Sequence, residues 1–199
     1  MRYALVVDGE IARTGSRPNW WNDDGSPVSD ARLAQDGWLP IHDTPPLYDP
    51  AKQTLAQNPP AEWNILGDRV EATWTITDFT FAELKAAKLQ ALADRRWEAE
   101  TGGVMVGGAL IRTDATSQGK ITGAVSLFQA DPTLAAIDWE AQPGVFVALD
   151  AATMTAIGIA VGRHVQACFS HAKAFSLAID AAADIAALDA IDINQGWPS

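Results

Sequence analysis

The sequence predicts an α+β protein with its strands first and its helices last. Three observations carry that expectation. Residues 1–79 hold five of the eight tryptophans, with Pro, Gly and Asp spread between short apolar runs. Thr80-Phe81-Ala82-Glu83 then forms a capping box with Phe79 and Leu84 at staple spacing, and a Glu/Lys/Ala-rich stretch follows. From Asp150 to Ala190 there is no Pro, and large apolar residues recur in steps of three and four, as one stripe of a helix requires.

In chain order, Tyr3–Val7 and Glu10–Ala12 flank Asp8-Gly9, a two-residue hairpin signal. Asn22-Asp23-Asp24-Gly25 is a loop, and residues 29–36 suit one or two helical turns closed by Gly37. A Pro-rich crossing through residues 45–50 leads to a second hairpin, Trp63–Leu66 with Val70–Thr77 across Gly67-Asp68. Residues 1–79 thus read as a small Trp/Pro-rich β docking module, in which stacked Trp and Pro replace a large aliphatic core. Residues 80–100 read as a connector helix stopped by Gly102-Gly103, with Leu84, Leu89, Leu92 and Trp97 on its buried side.

Residues 101–199 read as a mostly helical module with two short hairpins. Val104–Val106 and Ala109–Arg112 turn at Gly107-Gly108; residues 136–140 and 145–148 turn at Gln142-Pro143-Gly144. Between them a helix runs to Ala130 and stops at Asp131-Pro132. Asp150 caps the long helix expected over 150–190, whose stripe is Met154, Ile157, Val161, Val165, Cys168, Phe175 and Ile179, with a kink expected near Gly158–Gly162 or Ser170–Ala174. Trp197 is expected to fold back as a plug.

Charge narrows the function classes. The formal charge of −11 repels phosphate backbones, so no nucleic-acid partner is expected. No apolar stretch approaches the ~20 residues of a membrane span, and the first residues carry no leader-like apolar region. The single cysteine leaves no internal disulfide, which fits a chain made in a reducing cytosol.

Candidate chemistry is thin. His164, Cys168 and His171 stand at i, i+4 and i+7 on one helix face, a spacing that suits Zn²⁺, but no fourth ligand is evident and Cys168 belongs to the apolar stripe. Asp180, Asp184, Asp189 and Asp192 read as a solvated face, and Asp138 with Glu140 as an exposed strand face. No catalytic, cofactor-binding or metal-ligating set is expected. The candidates are interface residues: Trp20, Trp21 and Trp38 in the first module, and Ile157, Val161, Val165, Phe175 and Ile179 along the long helix. Trp20-Trp21 suits stacking on a sugar or on a neighbouring chain. Part of the stripe, beyond Ala172, is expected to lack an internal partner and so to mark a self-association seam.

Two residue patterns also carry a resemblance. The first is Gly37-Trp38-Leu39-Pro40-Ile41, Pro46-Leu47-Tyr48-Asp49, Trp63 and Val70-Glu71-Ala72-Thr73-Trp74, followed by the capped helix. It resembles the first module of bacteriophage tail and tail-fibre-region proteins. The second includes Gly103-Val104-Met105-Val106-Gly107-Gly108, Ile111-Arg112-Thr113-Asp114, Ile137-Asp138-Trp139, Gly144-Val145-Phe146-Val147-Ala148-Leu149 and Gly196-Trp197-Pro198. It resembles a phage domain of unknown function. The resemblance implies a structural virion component, not an enzyme: an adaptor at the tail tip, baseplate or fibre attachment site, made in the host cytoplasm and serving host attachment. Hub and fibre proteins would be its partners, and a homo-oligomer, with a trimer favoured, would match tail symmetry. A fibre-assembly chaperone and a tail-associated glycan or cell-wall hydrolase are the alternatives.

Overall fold

A computed structural model describes residues 1–198. The chain divides into two units, residues 1–80 and residues 81 onward. The fold is α+β, with strands dominating the first unit and helices the second.

In the first unit β1 (Arg2–Val7) and β2 (Glu10–Ser16) pair antiparallel. Their turn places Asp8 and Gly9 at φ of 52° and 81°, the left-handed pair that a tight hairpin demands. Next, α1 (Asp30–Gln35) is capped by the Ser29 hydroxyl, which accepts from the Arg32 N–H. Gly37 then closes it at a φ of 81°, where any Cβ would lie 2.5 Å from the Val6 carbonyl oxygen. That oxygen's own residue donates its N–H to Gly37 O at 2.8 Å, so the close approach is part of the sheet.

β3 (Trp38–His42), β5 (Asn64–Ile65) and β6 (Val70–Glu71) complete a five-stranded sheet in the order β2-β1-β3-β6-β5 when β4 (Gln53–Gln57) is set aside. Side chains alternate across this sheet. Tyr3 and Trp38 meet Leu33 and Val28 on one face, while Ala4, Leu39, Ile41 and Val70 pack with Trp63 on the other. The second hairpin expected from the sequence is shorter than its pattern implied. Its returning strand breaks after Glu71, and β7 (Trp74–Asp78) leaves the sheet to pair with β4. The β4 strand itself, with Gln at both ends, gave no apolar alternation to betray it.

The second unit is built on α4 (Ala151–Ala181), whose Asp150 cap accepts from the Thr153 N–H at 2.8 Å. At ~1.5 Å per residue its 31 residues span about 46 Å. The helix is unbroken through Gly158–Gly162 and Ser170–Ala174, and it stops nine residues short of Ala190. Asp184 caps a separate α5 (Ile185–Asp189), whose Leu188 turns back to pack near Ile179.

Two cores line this spine. Toward its N-terminal end, Met154, Ile157 and Val161 pack with Ile121 and Phe128 of α3 (Ala115–Ala130). The hairpins β8–β9 (Val104–Val106, Ala109–Ile111) and β10–β11 (Ile137–Gln142, Val145–Leu149) add Val104, Ile111, Trp139 and Leu149 to that core. Toward its C-terminal end, Ile179 packs with Leu92 of α2 (Phe81–Thr101) and with Leu188. The α2 helix therefore packs along α4 rather than standing apart as a connector. Trp97, expected on its buried side, is 62% exposed.

Between the cores the seam of α4 runs through His164, which is buried, with Val165 half-buried beside it. The polar ring is tolerated there because its Nε2 meets the Ala99 carbonyl at 3.0 Å. Ala99 lies in the last turn of α2, where carbonyls have no intrahelical partner. Thr113, fully buried, serves the same end: its hydroxyl donates to Glu100 O and accepts from the Gly103 N–H at 2.9 Å. The end of α2 is thus capped from two other elements. No helix among the described residues is long and apolar enough to cross a membrane.

Candidate functional site

The structure sorts the expected interface residues into two groups. Trp38, Ile157, Val161 and Ile179 are buried in the chain's own cores, and Phe175 and Val165 are half-buried. Phe175 packs beside His171 and Trp197, at ring-centroid distances of 4.8 Å and 6.4 Å between His171–Phe175 and Phe175–Trp197. The expectation of an uncovered stripe beyond Ala172 is thereby corrected. Its cover comes from α2, α5 and the C-terminal segment with Trp197, short elements whose reach over α4 was not evident from helix lengths alone.

Trp20 and Trp21 remain at the surface, 42% and 59% exposed. They stand at the start of a closed loop. Val28 N donates to Trp20 O at 3.0 Å, Trp21 bridges Pro27, and Asn22 N donates to Ser26 O at 2.8 Å. At the foot of the loop the Arg17 guanidinium donates to the carbonyls of Pro18 and Val28 and pairs with Asp30 at 3.0 Å. The Asp30 carboxyl is held below its ordinary pKa by its hydrogen bond with Tyr3, and further by Arg17. Trp20 meets the buried Trp38 edge to face at 6.5 Å, and Arg13 covers Trp38 at 4.7 Å. The two exposed rings line a groove of about 560 Å³ with Asn22, Asp23, Val28, Arg32 and Asp36.

In the second unit the hairpins carry the exposed apolar groups. Met105 and Leu110 stand directly opposite each other on β8–β9 and are 59% and 64% exposed. At the tip of β10–β11, Val145 and Phe146 are 50% and 64% exposed. Inward-facing Ile137, Trp139 and Leu149 hold the second hairpin to the core, so these outer residues are displayed on a fixed base. The turn residues Gly107-Gly108 and Gln142-Pro143-Gly144 mark both hairpins in the sequence, but not their outward residues, because an apolar residue in a short strand normally faces in.

The ionisable groups are occupied with structure. His164 Nε2 lies 3.8 Å from the Cys168 Sγ and also meets Ala99 O, while His171 Nε2 meets Gln195 O at 2.9 Å. Burial pushes the Cys168 thiol up from its ordinary pKa, which keeps it a protonated packing group. A cleft along Arg96, Trp97, Glu100, Thr101, Asp114, Thr116 and Gln118 contains two carboxylates. Glu100 is paired with Arg96, and Asp114 caps α3 through Ser117 and pairs with Arg112 at 3.1 Å. Its hydrogen bond from the Ser117 hydroxyl is the main cause of its lowered pKa. Glu140 accepts from Gly144 N in its own turn at 2.9 Å, and Asp184 and Asp192 are caps or turn acceptors. Among the described residues, no group of three or more His, Cys, Asp or Glu side chains is placed to hold a metal ion.

The second unit corresponds to one family domain. The chain belongs to the family defined by the domain of unknown function DUF4376, whose model matches residues 83–193, more than half of its length. No curated protein and no solved structure matches the chain.

Proposed function

We propose that this protein is a structural component of a bacteriophage tail, an adaptor at the tail tip or fibre attachment site that acts through protein–protein binding. The observation that carries the reading is the display of Met105, Leu110, Val145 and Phe146 on two hairpins anchored in the core of the second unit. Exposed apolar groups on a rigid base suit a partner surface, and they cost solubility unless covered. The acidic charge and the phage-type residue patterns at both ends of the chain support the same reading. Hub or fibre proteins are the partners. Self-association, trimeric under tail symmetry, would use this outer surface or the exposed Ile159 and Leu177 of α4, since the seam itself is occupied.

The test is capture of purified hub and fibre proteins from the same phage by the full chain. Leu110→Asp and Phe146→Asp should each weaken capture at least tenfold while the helical circular-dichroism signal stays unchanged. Unaltered capture by both variants, or no capture of any tail protein, would refute the proposal.

A further inference from the structure

We infer that the groove formed by Trp20, Trp21, Asp23, Arg32 and Asp36 is a binding site for a neutral saccharide. The inference concerns the first unit alone and does not rest on the virion reading. A pyranose ring has an apolar C–H face and a rim of hydroxyls, so its recognition needs an aromatic plate beside donors and acceptors. The groove supplies both. Two indoles line it, and an indole face carries the negative end of a quadrupole that attracts the weakly positive C–H hydrogens. The polar groups around them are two carboxylates, one guanidinium and one amide. Ligand sites commonly combine an aromatic lining with a few placed polar groups.

The plate is pre-formed. Arg17 ties both ends of the loop, Asn22 Nδ2 donates to the Ser26 hydroxyl at 2.9 Å, and Trp20 is braced by Trp38. A braced indole on a tied loop loses little conformational freedom on binding. The polar rim retains capacity: Asp23 makes no hydrogen bond or ion pair among the described residues, and Arg32 is only partly engaged by Asp36 at 3.5 Å and Gln35 at 3.1 Å. Charge selects within the class. Asp23 and Asp36 outnumber Arg32, and the chain carries −11, so an anionic sugar is repelled. A proline-rich peptide also stacks on Trp, but its grooves need few side-chain acceptors, and here carboxylates flank the rings.

The test is titration of the full chain with maltotriose, chitotriose and mannotriose, with sialyllactose and an oligoproline peptide alongside, read by calorimetry and by ligand-observed NMR. At least one neutral trisaccharide should bind with a Kd of about 1 mM or tighter, in the range usual for a small polar ligand. Trp21→Ala should weaken it at least tenfold, and Asp23→Asn severalfold, without loss of fold. If Trp21→Ala fails to fold, the Asp23→Asn titration decides alone. Absence of binding by all three neutral sugars at 10 mM, tighter binding of sialyllactose or oligoproline, or undiminished binding by the variants overturns the inference. Failure of the parent chain to capture any tail protein, with sugar binding intact, would refute only the adaptor reading.

Discussion

Replacing Thr113 by Val removes one hydroxyl and keeps the shape, which isolates the cap that holds the end of α2. The hydroxyl bridges two backbone groups, the Glu100 carbonyl and the Gly103 N–H. Thr113 itself is fully buried, so the bridge is shielded from water. An unsatisfied buried backbone group costs ~1–3 kcal/mol, and Glu100 and Gly103 are only half-buried, which argues for the lower half of that range for each. The sum is about 2–4 kcal/mol. For a unit of this size each kcal/mol corresponds to roughly 3–5 °C, so the melting temperature should fall by about 6–20 °C. Thr113→Ser keeps the bridge and loses one methyl, and should cost about 1 kcal/mol. Urea unfolding followed by circular dichroism at helical wavelengths measures both. A Thr113→Val variant within 0.5 kcal/mol of the parent, or one no worse than Thr113→Ser, would refute the capping account.

Four further outcomes follow from the packing and charge. Gly162 sits on the exposed side of α4 with open space around its missing Cβ, so Gly162→Ala should stabilise by about 0.5–1 kcal/mol, whereas Gly158→Ala should gain less because its Cβ would lie 3.0 Å from Val125; thermal melts of the pair give the comparison. Cys168→Ala should cost about 1–2 kcal/mol through lost burial, with no change in metal content by elemental analysis; stoichiometric Zn²⁺ lost with this change would overturn the packing role. Ile179→Ala should cost about 2–4 kcal/mol, because Leu92 and Leu188 close over it, and a cost near zero would mean that the C-terminal end of α4 is not covered by its own chain. Asp24, Asp30, Asp114, Asp131, Asp150 and Asp192 all have folded pKa values lowered by hydrogen bonds to the ionised form. Their stabilisation is present above the unfolded value of about 3.9 and is lost as pH falls through the lowered values, so acid titration should show the melting temperature flat near neutrality and falling below about pH 4.

Much of this architecture was legible because local chemistry and fold agree. Asp8-Gly9 and Gly107-Gly108 can hardly form anything but tight turns, and Asp114 and Asp150 cap the helices that follow them. What escaped was set by distant contacts. His164 sits in the seam with its Nε2 on the Ala99 carbonyl, and nothing in its own helix announces that contact. The break before α5 depends on Leu188 finding the core beside Ile179. The division of residues 70–78 between two sheets depends on β4, a strand with polar ends and no strong pattern. The candidate sites followed the same rule. Trp20 and Trp21 were visible as a pair, but the carboxylates and guanidinium around them come from the loop and from α1, and only the folded chain brings them together. The outward residues of the hairpins looked like core by composition alone.

Quantitative mass spectrometry of purified particles from a phage encoding this chain tests the central claim most directly. A structural tail adaptor predicts peptides from both units at a fixed copy number relative to the tail hub, with cross-links from the second unit to a hub or fibre protein. Peptides abundant in the infected-cell lysate and absent from the purified particles would contradict the account and point instead to an assembly factor.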